Sequence, residues 1–179
     1  CLSRGLGDVY KRQAYRTADG LDHVLNSAEP LNDRLRKLTN YASACAINKV
    51  HCSEILDRNA DEAVQIHGGY GYMQEYEVER LYRDARISRI FEGTNEINRL
   101  TIAKLMMKEV QQNGISEPET QLSSGENRNR RFIQLSNRLF GNTLKALKRS
   151  RVNIQEEQEY ARILADMQKE ISVSYTHLT

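Results

Sequence analysis

Proline is almost missing from this 179-residue chain: Pro30 and Pro118 are the only two, and tryptophan does not occur. Proline breaks helices by removing an amide donor and crowding the preceding turn, so the long interval between these two permits long helices. No run approaches the roughly 18 to 20 uncharged apolar residues that cross a bilayer, and no charged-then-apolar leader resembles a secretory signal. Cysteine is sparse as well. Of Cys1, Cys45 and Cys52, the last two stand seven apart with no CxxC and no ligating neighbour. That spacing predicts two small apolar residues stacked on a buried helix face in a reducing compartment, and no metal site is expected.

Net charge is nearly absent too, at a formal +2. The two ends, "CLSRGLGDVYKRQ" and "SVSYTHLT", share no periodicity with their neighbours and resemble translated cloning or sequencing-adaptor sequence, so residues 1–13 and 172–179 are set aside as non-native. Arg4, Lys11 and Arg12 against Asp8 account for that whole +2, leaving a neutral remainder. A bulk electrostatic case for nucleic acid or membrane therefore fails, and no nucleic-acid partner is expected.

What is present is helical pattern, and no strand pattern or internal repeat accompanies it. Apolar content of 39% is enough for a core. Apolar residues recur at spacings of three, four and seven from Leu31 to Ile66, through Tyr41, Cys45, Cys52, Ile55, Leu56 and Ala63, and predict one long amphipathic helix. It should stop at Gly68-Gly69, where a left-handed cap costs little. A shorter helix over 14–26 precedes it. "YGYMQEY" reads as a loop, "EVERLYRDAR" as a short charged helix, and 95–110 as a helix with Ile97, Leu100, Ala103, Met107 and Val110 inward. Thr94 suits its N-cap and Glu96 its dipole. Residues 113–129 are polar and contain Gly, Pro and Ser, as a linker would. Two further amphipathic helices follow, over 130–149 and 154–171. The prediction is an all-α antiparallel helical bundle over 14–112 with a helical extension over 130–171.

Two stretches carry chemistry. In "RIFEGTNEINR", Glu92 stands on a link between an apolar Ile-Phe pair and a helix start; burial raises a carboxyl pKa and the helix dipole lowers it, a poise suited to a general base. A capping or salt-bridging glutamate fits the same spacing. "QIHGGYGY" sets three glycines in four positions beyond a helix end, which admits close approach of a backbone or a phosphate-bearing ligand, or serves simply as a helix stop. It is not GxGxxG and follows no strand. His67 there reads as a packing or surface residue.

Taken together, "AVQIHGGYGYMQEYEVERLYRDARISRIFEGTNEINRLTIA" closely resembles the C-terminal helical domain of acyl-CoA dehydrogenases, and "NKVHCSEILDRNADEAVQ" resembles the long helix before it. Glu77 departs from the pattern, standing where the family usually has proline. The resemblance implies that Glu92 is the base removing the α-proton of an acyl-CoA thioester while the β-hydrogen leaves as hydride to FAD. It implies that the Glu92 amide helps stabilise the thioester oxygen, that Gly93 lies beside the substrate, and that Thr94, Asn95 and Glu96 contact the flavin. Gln65, Ile66, His67, Gly68 and Gly69 would reach the ADP part of an FAD held mainly by a partner subunit. A homodimer or dimer of dimers, electron-transferring flavoprotein as acceptor, fatty acid β-oxidation, and a bacterial cytoplasmic or eukaryotic mitochondrial location follow as expectations. Arg83 and Asp84 are expected to brace the glutamate link.

The basic stretch 128–151 has eight Lys or Arg and no acidic residue. Its other face carries Phe132, Leu135, Leu139, Phe140, Thr143 and Leu147. Extensions of this kind occur in family members acting on very long acyl chains. Either the stretch packs within the protein or dimer, or its basic face makes a peripheral membrane contact. A fragment of this kind should be inactive alone. The competing functional readings are an acyl-CoA oxidase of the same fold and a helical assembly module without chemistry.

Overall fold

The structure is a computed structural model that describes residues 2–113, 128–150, 153 and 156–176. Six α-helices run in chain order among them: α1 Leu2–Leu25, α2 Leu31–His67, α3 Glu77–Ile87, α4 Asn95–Asn113, α5 Arg128–Ser150 and α6 Gln158–Thr176. No strand occurs among the described residues, as the spacing predicts. A 3₁₀ turn, Gly68–Tyr72, follows α2 where a plain loop is expected. Most of the predicted linker lies outside the described residues.

The long helix ends within a residue of its predicted boundary. Pro30, with φ −55° and ψ 145°, precedes α2 in an extended conformation and its carbonyl accepts from the Asp33 and Arg34 amides. Gly68 ends it at φ 61° and ψ −143°, a backbone region open to glycine and closed to residues with a Cβ.

The centre of the bundle is an apolar cluster. α2 gives Ala46, Ile47 and Val50; α4 gives Ile102, Ala103, Met106 and Val110; α5 gives Phe140 and Leu144; α6 gives Ala161, Leu164 and Ala165. Fully burying a side chain such as Ile102 or Leu164 contributes roughly 1.5 to 3 kcal/mol. A polar seam borders this cluster: Arg99 of α4 reaches Glu54 of α2 and Asp166 of α6, and Lys169 also holds Glu54.

Several inward assignments require correction. Cys45 and Cys52 are exposed, as are Leu56 and Ile66, and the buried face of α2 is the neighbouring stripe through Ala46, Ile47 and Val50. Ile97 faces outward while Ile102 and Met106 face in; α4 is apolar on more than one side, so periodicity alone does not choose its core face. On α5, Leu135 and Leu139 are exposed and Ile133 and Leu144 buried. The Phe132 side chain lies outside what is described.

Both terminal helices extend into the segments set aside. α1 continues through residue 13 and α6 through residue 172, and the Gln13 amide donates to the Ser172 hydroxyl at 3.4 Å. Val173 is buried. None of the described helices is long and apolar enough to cross a membrane.

Candidate active site

The link between α3 and α4 descends by successive tight turns. Ile90 and Phe91 amides donate to the Ile87 carbonyl at 2.9 and 3.2 Å, and the Asn95 amide then returns to the Arg89 carbonyl at 3.1 Å. This closure puts Glu92 at the tip of a seven-residue loop, 89–95. Glu92 adopts φ 56° and Gly93 φ 81°. Glu92 is the only residue with a side chain in the left-handed region among those described, a conformation that persists only where surrounding contacts enforce it.

Those contacts come from α2. Arg89 of the link pairs with Asp57 at 2.7 Å. Lys49 Nζ donates to the Gly93 carbonyl at 2.7 Å and to Asn95 Oδ1 at 2.6 Å. Ser53 and Asn95 exchange hydrogen bonds at 2.9 and 3.2 Å, and Asn95 is only 1% exposed. The expected braces, Arg83 and Asp84, do not serve: Arg83 pairs with Glu79 one turn back on its own helix, and Asp84 is exposed.

Past the link, Thr94 Oγ1 accepts from the Ile97 amide at 3.2 Å, the expected N-cap. Hydrogen bonds at this helix start, from its own backbone amide first and then the Thr94 hydroxyl, hold the Glu96 carboxyl below its usual value. Asn98 donates to the Gly93 and Thr94 carbonyls at 2.9 and 3.1 Å. Thus Glu92, Gly93, Thr94, Asn95 and Glu96 are brought together. The Asn95 side chain is committed inward, whereas Glu92 and Glu96 are exposed.

The shelter expected around Glu92 is not formed within the described residues. Ile90 is 48% and Phe91 49% exposed, and Ile87 and Ile97 are exposed as well. No described residue accepts a hydrogen bond from the Glu92 amide.

The glycine segment lies at the far end of α2. Gln65, Ile66, Gly68 and Gly69 are exposed, and His67 folds back with Nδ1 2.8 Å from its own helix's Ala63 carbonyl. A Cβ added at Gly68 or Gly69 would meet open space, so these two leave a bare, accessible backbone. Gly71 differs. It is buried, and a Cβ there would come within 2.7 Å of the Val64 carbonyl, so this glycine lets the 3₁₀ turn fold against α2. A groove of about 730 Å³ opens between this turn and α3, lined by Val64, Tyr72, Tyr82, Arg86, Ile87 and Ile90 among others, and does not include Glu92. No cluster of three or more His, Cys, Asp or Glu suited to a metal occurs among the described residues.

Sequence reasoning missed the stripe that holds the link. Lys49, Ser53 and Asp57 recur every four residues on α2, a spacing that aligns polar side chains on one face and was open to detection.

Comparison with known proteins agrees with this architecture. The family described as acyl-CoA dehydrogenase, C-terminal domain, matches residues 12–107, and the chain belongs to it. A probable acyl-CoA dehydrogenase of Bacillus subtilis (strain 168) is 58% identical over 99 residues, 52% of this chain and 17% of that protein. The caffeyl-CoA reductase-Etf complex subunit CarC of Acetobacterium woodii is 42% identical over 85 residues, 48% of this chain and 22% of that protein. Among solved structures, acyl-CoA dehydrogenase complexed with FAD from Bacillus anthracis superposes with a TM-score of 0.77 at 30% identity, covering 96% of this chain and 32% of that one. The chain therefore spans about a fifth of the length of the curated relatives it matches.

Proposed function

We propose that this chain is the C-terminal helical portion of an FAD-dependent acyl-CoA dehydrogenase, with Glu92 as the base that removes the α-proton of an acyl-CoA thioester. The observation that carries the reading is the backbone at Glu92. A carboxylate held in a left-handed conformation, on a loop pinned from α2, next to the exposed Ile90 and Phe91 and with its own amide uncommitted, supports a group built to project toward a ligand.

The chemistry balances on these groups. The Glu92 carboxylate takes the proton from Cα, the electron pair of that bond forms the Cα–Cβ double bond, and the Cβ hydrogen departs with its electrons. Bound FAD supplies the hydride acceptor. The Glu92 N–H is available to donate to the thioester oxygen as negative charge collects there, and such a donor contributes on the order of 10²- to 10³-fold in rate. Gly93 leaves space for the substrate next to the base. Thr94 and Glu96 stand on the flavin side, while Asn95 acts from inside by holding the turn.

Gln65 to Gly69 fit a different part of the cofactor. Their bare backbone at Gly68 and Gly69 suits the ADP portion of an FAD held by a partner subunit, which makes the assembly a homodimer or a dimer of dimers. The exposed apolar residues Ile66, Tyr70 and Tyr72 nearby suit such an interface. Electron-transferring flavoprotein is the proposed acceptor, and fatty acid β-oxidation the proposed setting, in a bacterial cytoplasm or a mitochondrion. Packing of α5 through Phe140 and Leu144 favours the intramolecular role of the basic stretch over membrane contact.

Relatives named reductases favour a second direction for the same site, in which protonated Glu92 returns the proton to Cα of an enoyl-CoA. The test of the base is Glu92→Gln in the full-length protein. It should retain FAD and lose dehydrogenation by about 10² to 10⁴-fold, read as bleaching of the flavin by acyl-CoA. Substantial remaining bleaching would place the base elsewhere.

A further inference from the structure

Lysine side chains usually extend into water, and Lys49 does not. Its ammonium is drawn against the link, 2.7 Å from the Gly93 carbonyl and 2.6 Å from Asn95 Oδ1. Immobilising so flexible a side chain is unfavourable, and two short charge-assisted hydrogen bonds are needed to offset it. Gly93, which accepts one of them, follows the one non-glycine residue described with positive φ.

We propose that Lys49 is a positioning residue for the Glu92 base: by anchoring the Gly93 carbonyl to α2 it fixes the chain immediately after the left-handed Glu92 and Gly93, and so holds the turn that aims both the Glu92 carboxylate and its amide. The inference rests on the reading of Glu92 as the base. Two side chains donate to the Gly93 carbonyl, and they do different things. Asn98 binds the Gly93 and Thr94 carbonyls from α4, the helix the link itself begins, so it moves with the link. Lys49 ties the same carbonyl to a separate helix, and no other described side chain does so. Partial burial lowers the Lys49 pKa, and the nearby carboxylates of Glu96 and Glu92 oppose that shift, which agrees with an ammonium lodged between the link and the start of α4.

The role is separable from folding. Without Lys49, Ser53 still bonds Asn95 and Asp57 still bonds Arg89, so α4 and the upstream half of the link stay attached to α2. Loss of Lys49 should loosen the tip and spare the frame. Turnover then suffers more than substrate binding, because misplacing a reacting group by about 1 Å can cost about 100-fold in rate.

The experiment uses the full-length, FAD-loaded protein with Lys49→Met, Lys49→Arg and Glu92→Gln. For Lys49→Met, kcat per bound flavin should fall about 10- to 100-fold with KM for acyl-CoA within about threefold. Lys49→Arg, which keeps a cationic donor, should recover most of the loss. A second readout avoids hydride transfer: an acyl-CoA analogue with sulfur at the β-position, deuterated at Cα, should lose its label to water more slowly in Lys49→Met by the same factor. Wild-type kcat and label loss in Lys49→Met, alongside an inactive Glu92→Gln, overturn the role of Lys49 and leave the base intact. An active Glu92→Gln overturns the base assignment, and with it this one. A raised KM at unchanged kcat also overturns it. Should Lys49→Met fail to load flavin, Lys49→Gln is measured instead, its side chain being too short to span both acceptors; kcat per flavin within about twofold of wild type then overturns the proposal.

Discussion

Replacing Arg99 with methionine removes a guanidinium that joins three helices. Its Nε donates to Asp166 at 2.9 Å, its Nη2 bonds Glu54, and its side chain is 13% exposed. Breaking a fully buried pair costs about 3 to 5 kcal/mol because one charge is left unpaired. Here both carboxylates retain partial solvent access, Glu54 keeps Lys169 at 2.9 Å, and Asp166 keeps Arg162 and Lys169. The expected cost is therefore smaller, about 2 kcal/mol. With a urea slope of roughly 1 to 3 kcal/mol per molar, the midpoint should drop by about 1 M, followed by far-ultraviolet circular dichroism of the full-length protein. The pH dependence sharpens the test. Burial pushes the Glu54 carboxyl up, but its bonds to Arg99 and Lys169 outweigh burial and hold it below its ordinary 4.5. A depressed carboxyl stabilises the folded state above the unfolded value and ceases to do so as pH falls through the folded one. The wild-type advantage should be level from pH 7 to about 5 and shrink below that. Equal midpoints at neutral pH, or an undiminished gap under acid, would refute the reasoning.

Two further changes test local geometry. Gly71→Ala forces a methyl against the Val64 carbonyl and should destabilise by about 1 to 3 kcal/mol, measured by the same urea titration; no change would mean the 3₁₀ turn yields freely. Thr94→Ala removes the acceptor of the Ile97 amide and should cost about 1 kcal/mol, with Thr94→Ser near wild type; equal losses in both variants would discount the cap.

Helix existence was readable because the physics behind it is local. The absence of proline between Pro30 and Pro118, together with glycines at 68 and 69, bounds α2, and Thr94 marks the start of α4. Which side of each helix faces the core was less readable. Cys45, Cys52 and Leu56 repeat with the same period as Ala46, Ile47 and Val50, and two apolar stripes on one helix look alike until a neighbour covers one of them. The glutamate link was legible through its motif, and its support was not. Lys49 and Asp57 read as solvated charges in isolation, and only tertiary contact turns them into anchors.

The length of α2 has a consequence for what can touch its two ends. Lys49, at the glutamate link, and Gly68 are nineteen residues apart on one unbroken rod, roughly 28 Å at 1.5 Å per residue. No compact metabolite bridges that distance. Whatever engages both must be an elongated molecule lying along the rod, or two molecules served by two copies of the chain.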